Sequence, residues 1–323
     1  MRAFVINLLI RALVKRRLAA CRTPLDVRNA FAGAPSMPPR GARFSPATLG
    51  GVSGEWAESK KEGAAYGTVL YLHGGGYVAM SSRTHRSIAG GFALRGFRVF
   101  TPDYRLAPEH PFPAALEDVT AAWRVLRAEN DGPIFLAGDS SGGGLALALL
   151  LRLRGAGEEG PLAACLFSPW TDLACTGASF KLNQRHDPMQ AANCIQMLAA
   201  SYVDQADPRS PLLSPLYGDL RGLPPILIFV GDTEVLLDDA RRLAERARSQ
   251  GVSCDLRIYA GVPHAWPLLG AILPQSRLAL DDAERFLKEA GPRFLADWLR
   301  RRQDSSADLV VPQWDKKRAQ IQA

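Results

Sequence analysis

The sequence predicts an α/β fold: a mostly parallel, twisted sheet flanked by helices. Three observations carry that expectation. Short apolar runs alternate with segments of helical period, as consecutive βαβ units do. A glycine-rich turn, Gly138-Asp139-Ser140-Ser141-Gly142, joins one such run directly to a helical segment. Residues 173–222 then break the rhythm with several prolines, little strand signal and one helical stretch at 191–202, which is how an inserted lid reads.

The first element is helical. Phe4, Val5, Leu8, Leu9, Ala12 and Leu13 are apolar, while Asn7, Arg11 and Lys15 are polar. Arg11 interrupts the continuous apolar run that a secretory leader needs, so an amphipathic helix that stays on the protein is expected. Residues 24–54 are rich in Pro, Gly and Ser and read as a connecting stretch. Strands are predicted at 68–72, ending at a glycine cluster, at 97–101, closed by Pro102, and at 134–137, 163–167, 226–230 and 256–259. Helices are predicted at 113–129, 142–154, 238–250 and 276–290. After about Trp298 the chain turns polar and basic and reads as a loosely ordered tail.

Composition narrows the function. Of 323 residues, 47% are hydrophobic and 22% charged, which excludes disordered, collagen-like and coiled-coil chains. The formal charge of +7 gathers partly at the ends, in Arg11, Lys15, Arg16 and Arg17 and in Arg300, Arg301, Arg302, Lys316, Lys317 and Arg318. A nucleic-acid binder concentrates charge on a recognition element, so no nucleic-acid partner is expected. The ends read as solvated, with peripheral contact to an anionic membrane as the minority reading. The five cysteines are odd in number and lack a C-x-x-C, which argues against a disulfide framework or a zinc site and for a reducing, cytoplasmic compartment. No apolar stretch approaches the roughly 18 residues of a membrane span.

The chemistry begins at Ser140. A G-x-S-x-G between a strand and a helix is a nucleophile elbow, in which small neighbours let strand and helix approach around a strained serine. Only Ser140 has glycine at both −2 and +2, so Ser141 would follow the nucleophile and offer its N–H to an oxyanion. The second signal is His73-Gly74-Gly75-Gly76-Tyr77 after the 68–72 strand. Its unshielded N–H groups suit an oxyanion hole, and the chain has neither phosphate-loop pattern that would compete for such a glycine cluster. Of the five histidines, His73, His85, His110 and His186 read as structural. His264, after the last strand, alone fits the order serine, acid, histidine. The acid falls after the 226–230 strand. Asp238 and Asp239 suit the start of a helix, which leaves Asp232 and Glu234.

These residues resemble the bacterial hormone-sensitive-lipase-like esterases, a branch of the α/β hydrolases. The likeness spans about residues 50–290 and includes HGGGY at His73, DYRLAPE at Asp103 with His110-Pro111-Phe112-Pro113-Ala114, GDSSGG at Gly138, SPWTD at Ser168 and Pro263-His264. It implies an α/β-hydrolase fold with a helical cap. Residues 1–50 would hold cap helices and linker, 51–172 and 223–298 the core, 173–222 the cap insertion and 299–323 the tail. The family's acid motif usually reads D-P-L-x-D-E, and by position Glu234 replaces its first Asp. Ser141 stands where the family often has Ala.

The resemblance implies a serine carboxylesterase for short- to medium-chain acyl esters, working through an acyl-enzyme without metal or cofactor. Its catalytic residues would be Ser140, Glu234 and His264, with the N–H groups of Gly74, Gly75 and Ser141 as the oxyanion hole. Tyr77 and Trp266 are candidate pocket walls, the apolar face of residues 4–13 would line or cover the pocket, and DYRLAPE looks like a turn supporting the loop over the site. The partner is a small-molecule ester, and a homodimer is compatible. The alternatives are an amidase or N-acetyl hydrolase with the same triad, a non-catalytic ligand receptor, and a membrane-surface lipase.

Overall fold

The structure, a computed structural model, describes residues 2–33, 36–61, 63 and 65–303. Eight strands form one sheet: β1 (Ala42–Leu49), β2 (Val52–Ser59), β3 (Gly67–Leu72), β4 (Phe97–Pro102), β5 (Ile134–Asp139), β6 (Ala164–Phe167), β7 (Ile226–Gly231) and β8 (Cys254–Tyr259). Their spatial order is β1-β2-β4-β3-β5-β6-β7-β8. β1 and β2 pair antiparallel, as do β2 and β4, and every other pair is parallel.

The β1–β2 hairpin corrects the reading of residues 24–54 as a connector. Leu49 pairs with Val52 across Gly50-Gly51, whose φ angles are +59° and +80°. Two positive φ angles in a two-residue loop are what a type I′ hairpin turn needs. Pro46 sits inside β1, which a strand at the sheet edge tolerates because one side of its ladder is unpaired.

The helices are α1 (Arg2–Ile10), α2 (Arg16–Ala20), α3 (Pro24–Phe31), α4 (Arg86–Ala93), α5 (Ala114–Ala128), α6 (Ser141–Gly155), α7 (Ser179–Leu182), α8 (Ala192–Val203), α9 (Leu237–Ser249) and α10 (Pro274–Gln303). One wider π turn, Arg11–Lys15, joins α1 to α2. α10 runs five residues into the segment read as a tail, and residues 304–323 lie outside the described residues.

Alternate side chains of the strands feed two cores, as the period of two requires. Leu70, Leu72, Leu136, Leu166 and Ile228 pack on one face with α5 and α6. Val69, Tyr71, Phe135, Phe167 and Phe229 pack on the other with α4 and α10. Strands covered on both faces read as continuous apolar runs, which is why β3 to β7 were visible in the sequence. α2 and α3 pack on α8, so the start of the chain and the insertion meet. The apolar face of α1 does not cover the pocket as expected: Phe4, Leu8, Leu9 and Leu13 point to solvent, while Ala3 and Ile6 pack inward.

Candidate active site

β5 ends at Asp139 and α6 begins at Ser141. Between them Ser140 has φ 53° and ψ −123°, a strained conformation for a residue with a side chain. Its flanking glycines are sterically required. A Cβ on Gly138 would lie 2.6 Å from the Gly142 carbonyl oxygen, and one on Gly142 would lie 2.1 Å from that of Leu72. Gly142→Ala therefore forces backbone to move, at a cost of about 3 kcal/mol. The expected result is a lower urea midpoint with an unchanged slope, together with loss of activity.

The neighbouring serine has a different task. Ser141 is fully buried, and its Oγ accepts the Tyr77 N–H at 3.3 Å. Ser140 instead lines a cavity that His264, Gly75 and Gly76 also line. The Ser140 hydroxyl and the His264 ring share this cavity with no hydrogen bond between them.

His264 Nδ1 lies 2.6 Å from Glu234 Oε2. The other carboxylate oxygen, Oε1, accepts the Gly231 N–H at 2.6 Å and the Ser168 hydroxyl at 2.7 Å. Asp232 lies elsewhere: its Oδ1 accepts the Gly261 N–H at 2.9 Å. Geometry thus pairs Glu234, not Asp232, with the histidine. Burial alone would lower the His264 pKa. The charge and hydrogen bond of Glu234, with the charges of Asp187 and Asp139, outweigh it and hold the pKa above the usual 6.5.

Two supports of this pair went unnoticed in the sequence. Ser168, at the end of β6 with φ 48°, donates to Glu234 and accepts the Ala265 N–H at 3.2 Å, so one hydroxyl links the acid and histidine loops. Asp187, buried in the insertion, accepts the N–H groups of Met189 and Gln190 through Oδ1 and that of Val235, the residue after Glu234, through Oδ2 at 3.0 Å. Burial, then repulsion from Glu234, pushes the Asp187 pKa up. Nothing local in the sequence announced the distant partner of Asp187. Asp238 and Asp239 do open α9. They also tie other segments down: Asp238 accepts the Ser179 N–H, and Asp239 accepts those of Thr171 and Asp172. Burial pushes Asp239 up to about 7.

The glycine loop corrects one expected oxyanion donor. The Gly74 N–H is already engaged, by Asp139 Oδ1 at 3.1 Å and His85 Nε2 at 3.3 Å. Asp139 Oδ1 also accepts the Tyr71 hydroxyl and sits 3.1 Å from His85 Nε2. Gly74 is thus an anchor of the loop. The N–H groups of Gly75, Gly76 and Ser141 have no intramolecular acceptor among the described residues. Gly75 has φ 122°, and a Cβ there would meet the Ala79 carbonyl oxygen at 2.1 Å. His73 anchors the loop as well. It stacks on Tyr104 at 4.2 Å, and its carbonyl accepts the Tyr104 hydroxyl. Burial, then the neighbouring His85, pushes the His73 pKa down to about 3.

Tyr104 belongs to DYRLAPE, and the rest of that motif is also structural. Asp103 accepts the N–H and hydroxyl of Ser82. Glu109 takes both terminal nitrogens of Arg28 at 2.7 Å, while Arg28 also donates to the carbonyls of Val78 and Ala107. Arg28 lies on α3, so this fork ties the start of the chain to the loop beside the site. The pair is largely exposed, and its worth lies in position more than energy.

The cavity walls are apolar. Leu18, Val27 and Phe31 come from the N-terminal helices, and Met189, Ile195 and Leu198 from the insertion. The two pocket-wall candidates are not among them. Tyr77 is buried below the glycine loop, stacked on Tyr202 at 3.7 Å. Trp266 is buried in the core on the other face of the sheet, against Tyr259. Both neighbour key residues in sequence, but their side chains turn away from the cavity. No helix among the described residues is long and apolar enough to cross a membrane.

This fold, with a strained serine after β5 and an acid–histidine pair after β7 and β8, is that of a hydrolase. The chain belongs to the α/β-hydrolase fold family, whose model matches residues 69–268. Among its relatives, an acetyl-hydrolase of Streptomyces hygroscopicus is 41% identical over 246 residues, covering 75% of this chain and 82% of that one. An esterase of Acinetobacter venetianus is 37% identical over 248 residues, 76% of this chain and 81% of its own. A solved esterase of the bacterial hormone-sensitive lipase family is 41% identical and superposes with a TM-score of 0.81, covering 90% of this chain and 98% of that chain. The esterase EstE5, soaked with p-nitrophenyl butyrate, gives a TM-score of 0.85 at 37% identity over 90% of this chain and 99% of its own. The company this chain keeps supports hydrolysis of carboxylic esters.

Proposed function

We propose that the chain is a serine carboxylesterase for short- to medium-chain acyl esters, with Ser140, His264 and Glu234 as its catalytic residues. The observation that carries this reading is the buried Glu234 carboxylate, 2.6 Å from His264 Nδ1, behind a cavity that Ser140 and His264 both line. Glu234 accepts a hydrogen bond from Nδ1–H, which fixes the tautomer that leaves Nε2 free as a base. His264 takes the Ser140 proton as Oγ attacks the ester carbonyl. The N–H groups of Gly75, Gly76 and Ser141 hold the oxyanion. His264 then protonates the departing alcohol, and the same base activates water to release the acid from the acyl-enzyme.

The apolar walls suit an acyl chain, and the likeness to an acetyl-hydrolase favours a short one. The test is kcat/KM across p-nitrophenyl esters from acetyl to palmitoyl. Rates that peak at acetyl to hexanoyl and fall steeply beyond support the proposal. A maximum at palmitoyl sinks the chain-length part, and a folded protein inert to the whole series sinks the esterase. The acetyl-hydrolase name also keeps an amidase or N-acetyl hydrolase in play, since the same triad cleaves either bond. Competing acetyl ester and acetanilide substrates decide between them.

A further inference from the structure

The N-terminal helix presents a surface that the ester-hydrolysis reading does not use. Phe4, Val5, Leu8, Leu9 and Leu13 are 49–69% exposed and form one continuous face across α1 and the π turn. The helix is fixed to the body by its other face. Ala3 and Ile6 pack on the core beneath, and Asn7 donates to the Gly261 carbonyl at 2.9 Å. Arg11 grips the Arg185 and His186 carbonyls, and Lys15 that of Asp187. The apolar face is therefore a held surface on a docked helix.

The segment it belongs to is basic, and the exposed carboxylate of Asp232 is tied to its anchor, bonded to the Gly261 that holds Asn7. Arg2, Arg11, Lys15, Arg16, Arg17 and Arg22 precede the first acidic residue of the chain, Asp26. Lys181 and Arg185 lie exposed on the segment that Arg11 and Lys15 hold. A second copy seated on this face would bring like charges together. An anionic bilayer complements both properties: the apolar side chains enter the headgroup boundary, and the cations meet lipid phosphates.

We propose that the α1 face docks the protein on anionic phospholipid membranes. Leu13 stands about a turn and a half from Leu18, which lines the cavity, so docking brings the cavity close to the lipid surface. The proposal is read as binding and stands whether or not the ester-hydrolysis reading does.

The experiment is co-sedimentation of the full chain with vesicles of phosphatidylcholine alone and of phosphatidylcholine mixed equally with phosphatidylglycerol. The expected result is binding to the mixed vesicles only, weakened by high salt. Leu8→Glu with Leu13→Glu lowers the partition coefficient about a hundredfold or more. Arg16→Ser with Arg17→Ser lowers it about fivefold per cation. These side chains are exposed, so thermal unfolding by circular dichroism stays at the wild-type midpoint and certifies the fold. Equal binding to both vesicles, no binding, or undiminished binding by the Leu8→Glu, Leu13→Glu variant overturns the proposal. So does a wild-type dimer in sedimentation equilibrium that this variant dissociates, because a second copy then covers the face.

Discussion

Ser140→Ala lowers kcat for a soluble ester about 10⁶-fold, whereas Ser141→Ala stays within about tenfold of wild type. The contrast follows from geometry. Ser140 lines the cavity with His264, and its hydroxyl is the only nucleophile the proposed mechanism has. The Ser141 hydroxyl faces the other way and accepts the Tyr77 N–H. Alanine at 141 keeps the backbone N–H that the oxyanion uses. It leaves the Tyr77 N–H without its acceptor, at a cost of about 1–3 kcal/mol in stability. Steady-state hydrolysis of p-nitrophenyl acetate, paired with urea unfolding, separates the two effects. Loss of activity in a folded Ser141→Ala variant, with Ser140→Ala still active, would reverse the assignment.

Glu234→Gln lowers kcat about 10⁴-fold, and Asp232→Asn leaves it within about twofold. The size of the first effect comes from hydrogen-bond bookkeeping. The Gly231 N–H is a fixed donor 2.6 Å from Glu234 Oε1, so glutamine must turn its carbonyl oxygen there. Its NH₂ then faces His264 Nδ1 and demands the acceptor tautomer at that atom. The proton moves to Nε2, where a base is needed. Asparagine at 232 keeps an oxygen for the Gly261 N–H and touches neither partner.

The pH profile reports the same pair. Wild-type activity falls as pH drops through the His264 pKa, because the imidazolium cannot accept the serine proton. Since that pKa is raised, the acid limb lies above 6.5. Without the Glu234 charge, burial prevails and the residual activity of Glu234→Gln has its acid limb at lower pH. An unmoved limb would argue that another carboxylate serves the histidine.

What the sequence disclosed follows the range of the interactions. The elbow was legible because its steric demands fall on residues two positions away, Gly138 and Gly142. β3 to β7 were legible because burial on both faces leaves unbroken apolar runs. The hairpin of β1 and β2 was not, since Pro46 and Gly50-Gly51 look like a linker until a partner strand is known. That the Gly74 N–H is already engaged could not be read from the glycine loop. Which glycine N–H turns inward depends on Asp139, 65 residues later. Asp232 and Glu234 were separable by family likeness but not by local chemistry, because the histidine lies 30 residues beyond Glu234. Ser168 and Asp187 act on groups 66 and 48 residues away, and no periodicity announces such a meeting.

The hydrogen bonds around Glu234 tie together parts of the chain that lie far apart in sequence. The turn that carries Ser140 is made by a strand and helix adjacent in the chain. On the acid–histidine side, Lys15, 172 residues before Asp187, donates to the Asp187 carbonyl, and the Asp187 carboxylate reaches the Val235 N–H. Closing spans of that length is slow and comes after local structure. The Ser140 turn depends on distant chain as well: its N–H donates to the Phe167 carbonyl at 2.9 Å, and Gly142 abuts the Leu72 carbonyl. Both halves of the site are thus products of the finished topology, joined by contacts between segments 30 to 70 residues apart.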